Sequence, residues 1–409
     1  MQKAQAVLAS ALLAPALALA FETVDTLPWP SSGRFPAYPA DEARPTDLWV
    51  QGGAMRDDNL LRLESGEISD TVTRLGAGVR HSQRIIGRQT LNLEGRADYY
   101  KFQEFRELDH LAYSALADWR WEIGNDLSGS IAFGRERRLA DLSETRSTAR
   151  RLVTATRVAA SGGYLVTPRL RLRTGIAAAQ AERTAAAFAE TRATSVVAAA
   201  EYVSPLRNTL GVEVRGTDGD APQDEEVGAQ LINNDYRERE VALVATYAPG
   251  AQLRFDGRLG RTTRRYGDLP ERDFEGSTWR VGAEWLLGNK TSLALALYKE
   301  PRSVIDIGAS HVVAEGVSFG PSWAATNKLV FALRLLREQR AFEGDPALFL
   351  VPGTRQRDER TRAVRFGIGW EPQRHWEASF AIDRGERESN IDGRDYQYSA
   401  LSANLAWRY

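Results

Sequence analysis

From Thr46 to the C-terminus, apolar and polar side chains alternate with a period of two through one segment after another. That period predicts β-strands lying between two environments, because successive strand side chains point to opposite faces. In HLAYSALADWRWE, Leu111, Tyr113, Ala115, Ala117, Trp119 and Trp121 share one face, and His110, Ser114, Asp118, Arg120 and Glu122 share the other. LRFDGR sets Leu253 and Phe255 against Arg254, Asp256 and Arg258. VRFGIGWE sets Val364, Phe366, Ile368 and Trp370 against Arg365, Gly367, Gly369 and Glu371. The pattern predicts strands at about 46–56, 69–82, 86–101, 108–123, 127–138, 150–164, 168–181, 191–203 and 207–216. It continues at about 235–248, 251–265, 274–287, 291–300, 310–323, 327–339, 359–371, 374–386 and 396–409, about 18 strands altogether.

The links between these strands alternate in length. Short ones (HSQRI, GND, VTPRL, SPLRN, APGA, GNK, ATN and EPQR) follow even strands, and long ones such as RDDNLLRLESGEI and TDGDAPQDEEVGAQLINN follow odd strands. Short periplasmic turns and long external loops are the signature of a transmembrane antiparallel up-and-down outer-membrane β-barrel. Aromatic residues gather beside the short turns: Trp121, Tyr202, Tyr247, Trp285, Trp323, Trp370 and Trp376, with Tyr409 at the chain end. Amphipathic rings prefer the headgroup level, so these predict a periplasmic aromatic girdle. The last strand carries Leu401, Ala403, Leu405, Trp407 and Tyr409 outward, and it must close on the first to leave no free edge.

The first twenty residues, MQKAQAVLASALLAPALALA, have one Lys, an apolar run and the small-residue exit Ala18-Leu19-Ala20. They read as a secretory signal peptide, residues 1–20, removed before Phe21. Residues 21–45 contain Pro28, Pro30, Pro36, Pro39 and Pro45 and read as an extended periplasmic N-terminal segment, leaving 46–409 for the barrel. Twenty-six percent of residues are charged and mean hydropathy is −0.39, values compatible with a barrel whose strands face a wet interior on one side. Cysteine is absent, so no disulfide staples the exported chain. A formal net charge of −1 argues against nucleic acid as a partner.

Candidate chemistry is sparse. The histidines are His81, His110, His311 and His375, and no G-x-S-x-G elbow, metal-ligand spacing or cofactor motif accompanies them. A barrel-embedded hydrolase is therefore the third reading. The inward faces instead carry both signs of charge: Glu94, Arg96, Asp98, Asp118, Arg120, Glu122, Arg169, Arg171, Arg173, Arg254 and Arg258 are the predicted pore-lining residues, with Glu201 and Glu213 opposing the arginine row. Arginine forks suit carboxylates and hydroxyl-rich solutes, whereas the same charges could simply brace a polar interior. Ala347 to Gly353, ALFLVPG, is an apolar run in a long loop and predicts folding back onto the barrel or a neighbour.

Residues 56–122 bear a resemblance. Asp57-Asp58-Asn59-Leu60 with Arg62-Leu63, then Ser69-Asp70, Asp98-Tyr99-Tyr100, Leu108-Asp109 and Trp119-Arg120-Trp121 resemble the N-terminal half of EpsL-type outer-membrane proteins associated with exopolysaccharide biosynthesis in exosortase/PEP-CTERM systems. The resemblance implies a bacterial outer-membrane barrel, monomeric or trimeric, that takes part in exopolysaccharide export or assembly. Its implied partners are outer-membrane lipid, exopolysaccharide, polysaccharide-export proteins and the barrel-assembly machinery. The closing strand, with Trp407 and Tyr409, likewise resembles the terminal signal which that machinery reads. The alternative function is a general or solute-specific diffusion porin.

Overall fold

The computed structural model describes residues 45–184, 190–303 and 311–409. The predicted signal peptide and nearly all of the Pro-rich segment lie outside the described residues. The first nine strands are β1 (Thr46–Asp57), β2 (Asp70–Arg84), β3 (Thr90–Phe102), β4 (His110–Ile123), β5 (Leu127–Leu139), β6 (Leu152–Thr167), β7 (Leu170–Arg183), β8 (Glu190–Val203) and β9 (Thr209–Asp220). A two-stranded hairpin follows, β10 (Glu225–Val227) and β11 (Gln230–Ile232). Then come β12 (Tyr236–Tyr247), β13 (Leu253–Tyr266), β14 (Phe274–Leu287), β15 (Thr291–Ser303), β16 (His311–Ala324), β17 (Leu329–Ala341), β18 (Asp358–Gln373), β19 (Trp376–Ser389) and β20 (Tyr396–Arg408). Two one-turn helices sit in loops, α1 (Leu142–Thr145) and α2 (Ala347–Leu350).

Leaving out the hairpin, 18 strands pair antiparallel, each with its neighbours in sequence. β1 pairs with β2 on one side and with β20 on the other, which closes the sheet into a barrel with no free edge. The closing register sets Val50 opposite Trp407 and Gly52 opposite Leu405. Past the last strand residue, the Tyr409 amide still donates to the Leu48 carbonyl at 2.9 Å.

The predicted faces hold. Leu75 is 70% exposed, Leu401 59% and Ile382 58%, so the outer wall is a belt of uncovered large apolar side chains. Apolar surface on that scale requires a nonaqueous neighbour, here the lipid of an outer membrane. Tyr202, Tyr247, Trp285, Trp323, Trp370 and Trp376 are exposed on this outer face beside the short turns, as the girdle predicts. The inner face buries polar groups instead, among them Asp98, Glu201, Glu213, Glu338 and Arg387.

Among the described residues no central apolar core forms, as a polar lumen demands. Apolar packing is moved to the external rim, where Leu60, Val72, Phe102 and Leu108 bury one another beneath Phe105, Leu139 and Leu142. Burying each such side chain contributes about 1.5–3 kcal/mol. A second cluster joins Tyr298, Val312, Ala314 and Phe342.

The structure corrects several sequence boundaries. The pattern ends the second strand near residue 82 and starts the third at 86, whereas β2 runs to Arg84 and the turn occupies 85–89. Gly87, at φ 57°, supplies the left-handed residue that this turn needs. HSQRI is thus largely strand. β9 reaches Asp220, and the stretch expected to be one long loop to residue 234 contains the β10–β11 hairpin. Gly228 between them has φ 64°, the turn signal that the alternation obscured. ALFLVPG opens as α2, and the Val351 side chain lies against Gly228 of the hairpin, so this loop does fold back over the mouth.

Candidate solute pathway

Inward positions on β7 to β13 form one continuous ion-pair ladder. Arg171 meets Glu201 at 2.5 Å and Arg173 meets Glu213 at 2.7 Å. Glu213 also takes Arg215 at 3.1 Å and Arg258 at 2.8 Å, and Arg258 reaches on to Glu240 at 2.5 Å. The residues alternate along each strand, so period two places every charge on the same face and adjacent strands bring opposite signs into register. Four arginines thereby share three carboxylates.

The adjoining wall continues the pattern. Arg280 and Arg302 both bind Glu300, at 2.8 and 2.9 Å. Arg302 also approaches Glu338 at 3.3 Å, and the Tyr298 hydroxyl donates to the same carboxylate at 2.5 Å. Arg340 of β17 and Arg357 of the β17–β18 loop hold Glu359 at 2.6 and 2.5 Å.

Into this wall comes a residue from the far side of the mouth. The β5–β6 loop carries α1, whose first turn is capped by Asp141 accepting the Ser143 amide at 2.8 Å. The cap aims Glu144 at the β17–β19 wall, where its carboxylate meets Arg340 at 2.9 Å, Arg357 at 2.8 Å and Arg387 at 3.1 Å. Burial alone would raise this carboxyl; Arg340, then Arg387 and Arg357, outweigh it and hold the group well below its usual range. Arg146, at φ 44°, ends the turn and donates to the Arg394 carbonyl at 2.7 Å. Arg150 donates to the Asp109 carbonyl at 2.9 Å. The loop thus crosses the external mouth and is pinned at both ends.

Below that clasp, Arg334 and Arg254 stand in the lumen without a carboxylate partner among the described residues. Arg334 faces inward, is exposed, and sits directly across the strand pair from Arg365, which is neutralised by Asp383 at 3.2 Å. Arg334 lies four residues from Glu338, about 13 Å along β17. Arg254 faces inward opposite Glu284 but makes no ion pair among the described residues. With Arg365 already paired to Asp383, Arg334 is the cation of this pair suited to receive a passing carboxylate.

The predicted pore-lining residues divide by position. Arg171, Arg173 and Arg258 are brought together in the ladder. Asp98 pairs with Arg96 and accepts from Gln51 at 2.7 Å; Glu94 binds Arg80 at 2.8 Å; Arg120 binds Asp118 at 2.6 Å. Glu122 sits at the periplasmic end, paired with turn residue Arg88 at 3.1 Å, and Arg169 lies in the β6–β7 turn, so these two border the mouth. His110 is buried, stacked on Tyr100 at 5.0 Å and bonded through Nδ1 to the Leu108 carbonyl at 2.8 Å, a structural role. Trp407 and Tyr409 are on the lipid face with their rings 6.2 Å apart.

Sequence reasoning missed Glu144, Arg340, Arg357, Glu359 and Arg387. The one available signal was Asp141-x-x-Glu144, a helix-start pattern inside a long link. The motif at residues 57–70 has a structural role as well. Arg62 binds Asp57 at 2.8 Å, the Asn59 amide donates to the Leu63 and Gln397 carbonyls at 2.8 Å, and Asp70 accepts the Gln103, Glu104 and Phe105 amides at 3.0–3.2 Å. These contacts lace the first two external loops to the closing strand.

No family model and no curated protein matches the chain. Among solved structures, the outer membrane protein OpdK from Pseudomonas aeruginosa is similar at TM-score 0.48 and 11% identity, over 89% of this chain and 99% of that one. Pseudomonas aeruginosa OccK2 (OpdF) in complex with glucuronate is similar at 0.47 and 13%, over 89% and 97%. A BenF-like porin from Pseudomonas fluorescens Pf-5 is similar at 0.47 and 9%, over 89% and 98%. At these identities the likeness concerns barrel architecture. None of these is a polysaccharide exporter, and the expectation of exopolysaccharide export gives way to the porin alternative. A polymer would also have to displace the buried Glu144 clasp, which joins the β5–β6 loop to the β17–β19 wall.

Proposed function

We propose that the chain is an outer-membrane diffusion channel for small, preferably anionic solutes. The observation that carries this reading is a lumen in which paired charges coat the wall while Arg334 and Arg254 make no ion pair among the described residues. A planar guanidinium that still has free donors binds carboxylates in bidentate fashion, and partial desolvation in a narrow lumen strengthens the contact. The ion-pair ladder keeps the interior wet and rigid, and its four arginines against three carboxylates leave one positive charge in excess. On this reading the chain reaches the outer membrane through a signal cleaved after Ala20, leaving Phe21 as the mature N-terminus.

The test is the zero-current potential of the purified barrel in a planar bilayer under a potassium chloride gradient. Anion preference supports the reading, and its reduction in Arg334→Ser locates the selectivity. Cation preference, or insertion without any conductance, would overturn it.

A further inference from the structure

The lipid face carries an unexplained set of cations. Outward from the periplasmic girdle, β17 presents Leu329, Phe331, Leu333 and Leu335, and then Arg337. β18 presents Trp370, Ile368, Phe366 and Val364, and then Arg362; β19 presents Trp376, Ala378, Phe380 and Ile382, and then Arg384. β5, β12 and β1 repeat the order, with apolar or small residues followed by Arg135, Arg239 and Arg56. A cation therefore marks the external limit of the apolar belt on strand after strand. The periplasmic limit is marked by aromatic rings instead, so the two interfaces are built differently.

The densest part is on β17–β19. Arg337 and Arg362 are directly opposite across their strand pair, and Arg384 follows one strand further on. All three are exposed. Arg362 has Glu386 at 2.8 Å and Glu388 at 3.9 Å, the latter shared with Arg360 at 3.7 Å, while Arg337 and Arg384 have no carboxylate partner among the described residues. With Arg360 included, four guanidiniums against two adjacent carboxylates, facing lipid rather than lumen, would repel one another unless an anion lay between them. At this height that anion has to be part of the outer leaflet. We propose that this collar, centred on Arg337, Arg362 and Arg384, binds the phosphate groups of a phosphorylated glycolipid headgroup.

The chemistry fits on two counts. Guanidinium forks pair bidentately with phosphate oxygens, and the position just beyond the apolar belt is where headgroup phosphates lie when the acyl chains cover Leu335, Val364 and Ile382. The two contacts hold one molecule at both its apolar and its charged parts. The inference rests on the outer-membrane reading but is independent of what passes through the lumen.

The experiment uses the full barrel in detergent micelles doped with bis-phosphorylated lipid A, with its dephosphorylated form, or with inorganic pyrophosphate alone. Retained lipid is read by native mass spectrometry and stability by heat-modifiable gel mobility. The parent should retain the phosphorylated lipid and unfold at a higher temperature only with it. Arg337→Ser, Arg362→Ser and Arg384→Ser combined should retain about tenfold less while still showing the folded band. A charge-matched periplasmic control, Arg84→Ser, Arg88→Ser and Lys328→Ser, should behave as the parent. Equal retention of the dephosphorylated form, equal protection by pyrophosphate, or undiminished retention in the collar variant would each overturn the proposal. Failure of the parent to insert into bilayers would instead overturn the outer-membrane reading beneath it.

Discussion

Two groups of charges share the same lumen and are treated in opposite ways. Glu144 is buried and held by three arginines contributed from β17, the β17–β18 loop and β19. Arg334, about 13 Å lower on the same wall, is exposed and has only Arg365 opposite it. Charges met by opposite charges hold the architecture, whereas a charge left unmatched is free to act on something that passes. The contrast separates residues that shape the pathway from residues that select what uses it.

The largest effect should come from breaking the clasp. Glu144→Ala leaves Arg340, Arg357 and Arg387 with Glu359 as the one carboxylate they all share in a buried site, a loss of about 3–5 kcal/mol of loop docking. Released from the wall, residues 140–150 should become protease-sensitive on folded barrel. Limited proteolysis followed by mass mapping checks this, with the parent remaining uncut in the same segment.

Acid should weaken the same clasp. The folded carboxyl lies below its ordinary value of 4.5, so the unfolded or undocked state binds protons first as pH falls. Docking is therefore fully present above about pH 4.5 and is lost progressively below it. Protease protection should be constant from pH 8 down to about 5 and then decline. A clasp that instead weakened on raising the pH would contradict the sign of this linkage.

A smaller effect is expected at the rim. Asn59→Ala removes two donations to backbone carbonyls at a buried position and should destabilise the first external loop by about 1–3 kcal/mol. Hydrogen exchange in residues 58–69 should rise, with that in β7–β13 unchanged. The smallest stability effect belongs to Arg334→Ser, within about 0.5 kcal/mol of the parent, yet this variant should lose part of the anion preference. A large fall in its heat resistance would mean that Arg334 is structural and that the comparison above is wrongly drawn.

How much of this was legible follows from the same distinction. The strands could be read because lipid on one side and water on the other impose period two on every segment, as with Phe366 and Ile382 against Arg365 and Asp383. The ladder was legible in part, since Arg171, Arg173, Glu201 and Glu213 lie on strands whose faces were known. The clasp was not, because Glu144 finds partners 196, 213 and 243 residues away and its own segment has no period at all. The turn at 85–89 was misplaced because His81 and Gln83 continue the alternation up to it. The loop hairpin β10–β11 was hidden by its brevity, three residues a side.

The most direct test of the account is the single-channel conductance of three proteins under identical salt: parent, Glu144→Ala and Arg334→Ser. The parent should form a channel of small, steady conductance. Glu144→Ala should conduct more and fluctuate as the freed loop moves, and Arg334→Ser should keep the parent's conductance while its zero-current potential shifts toward cations. A Glu144→Ala channel indistinguishable from the parent would contradict the claim that the docked loop lies across the pathway.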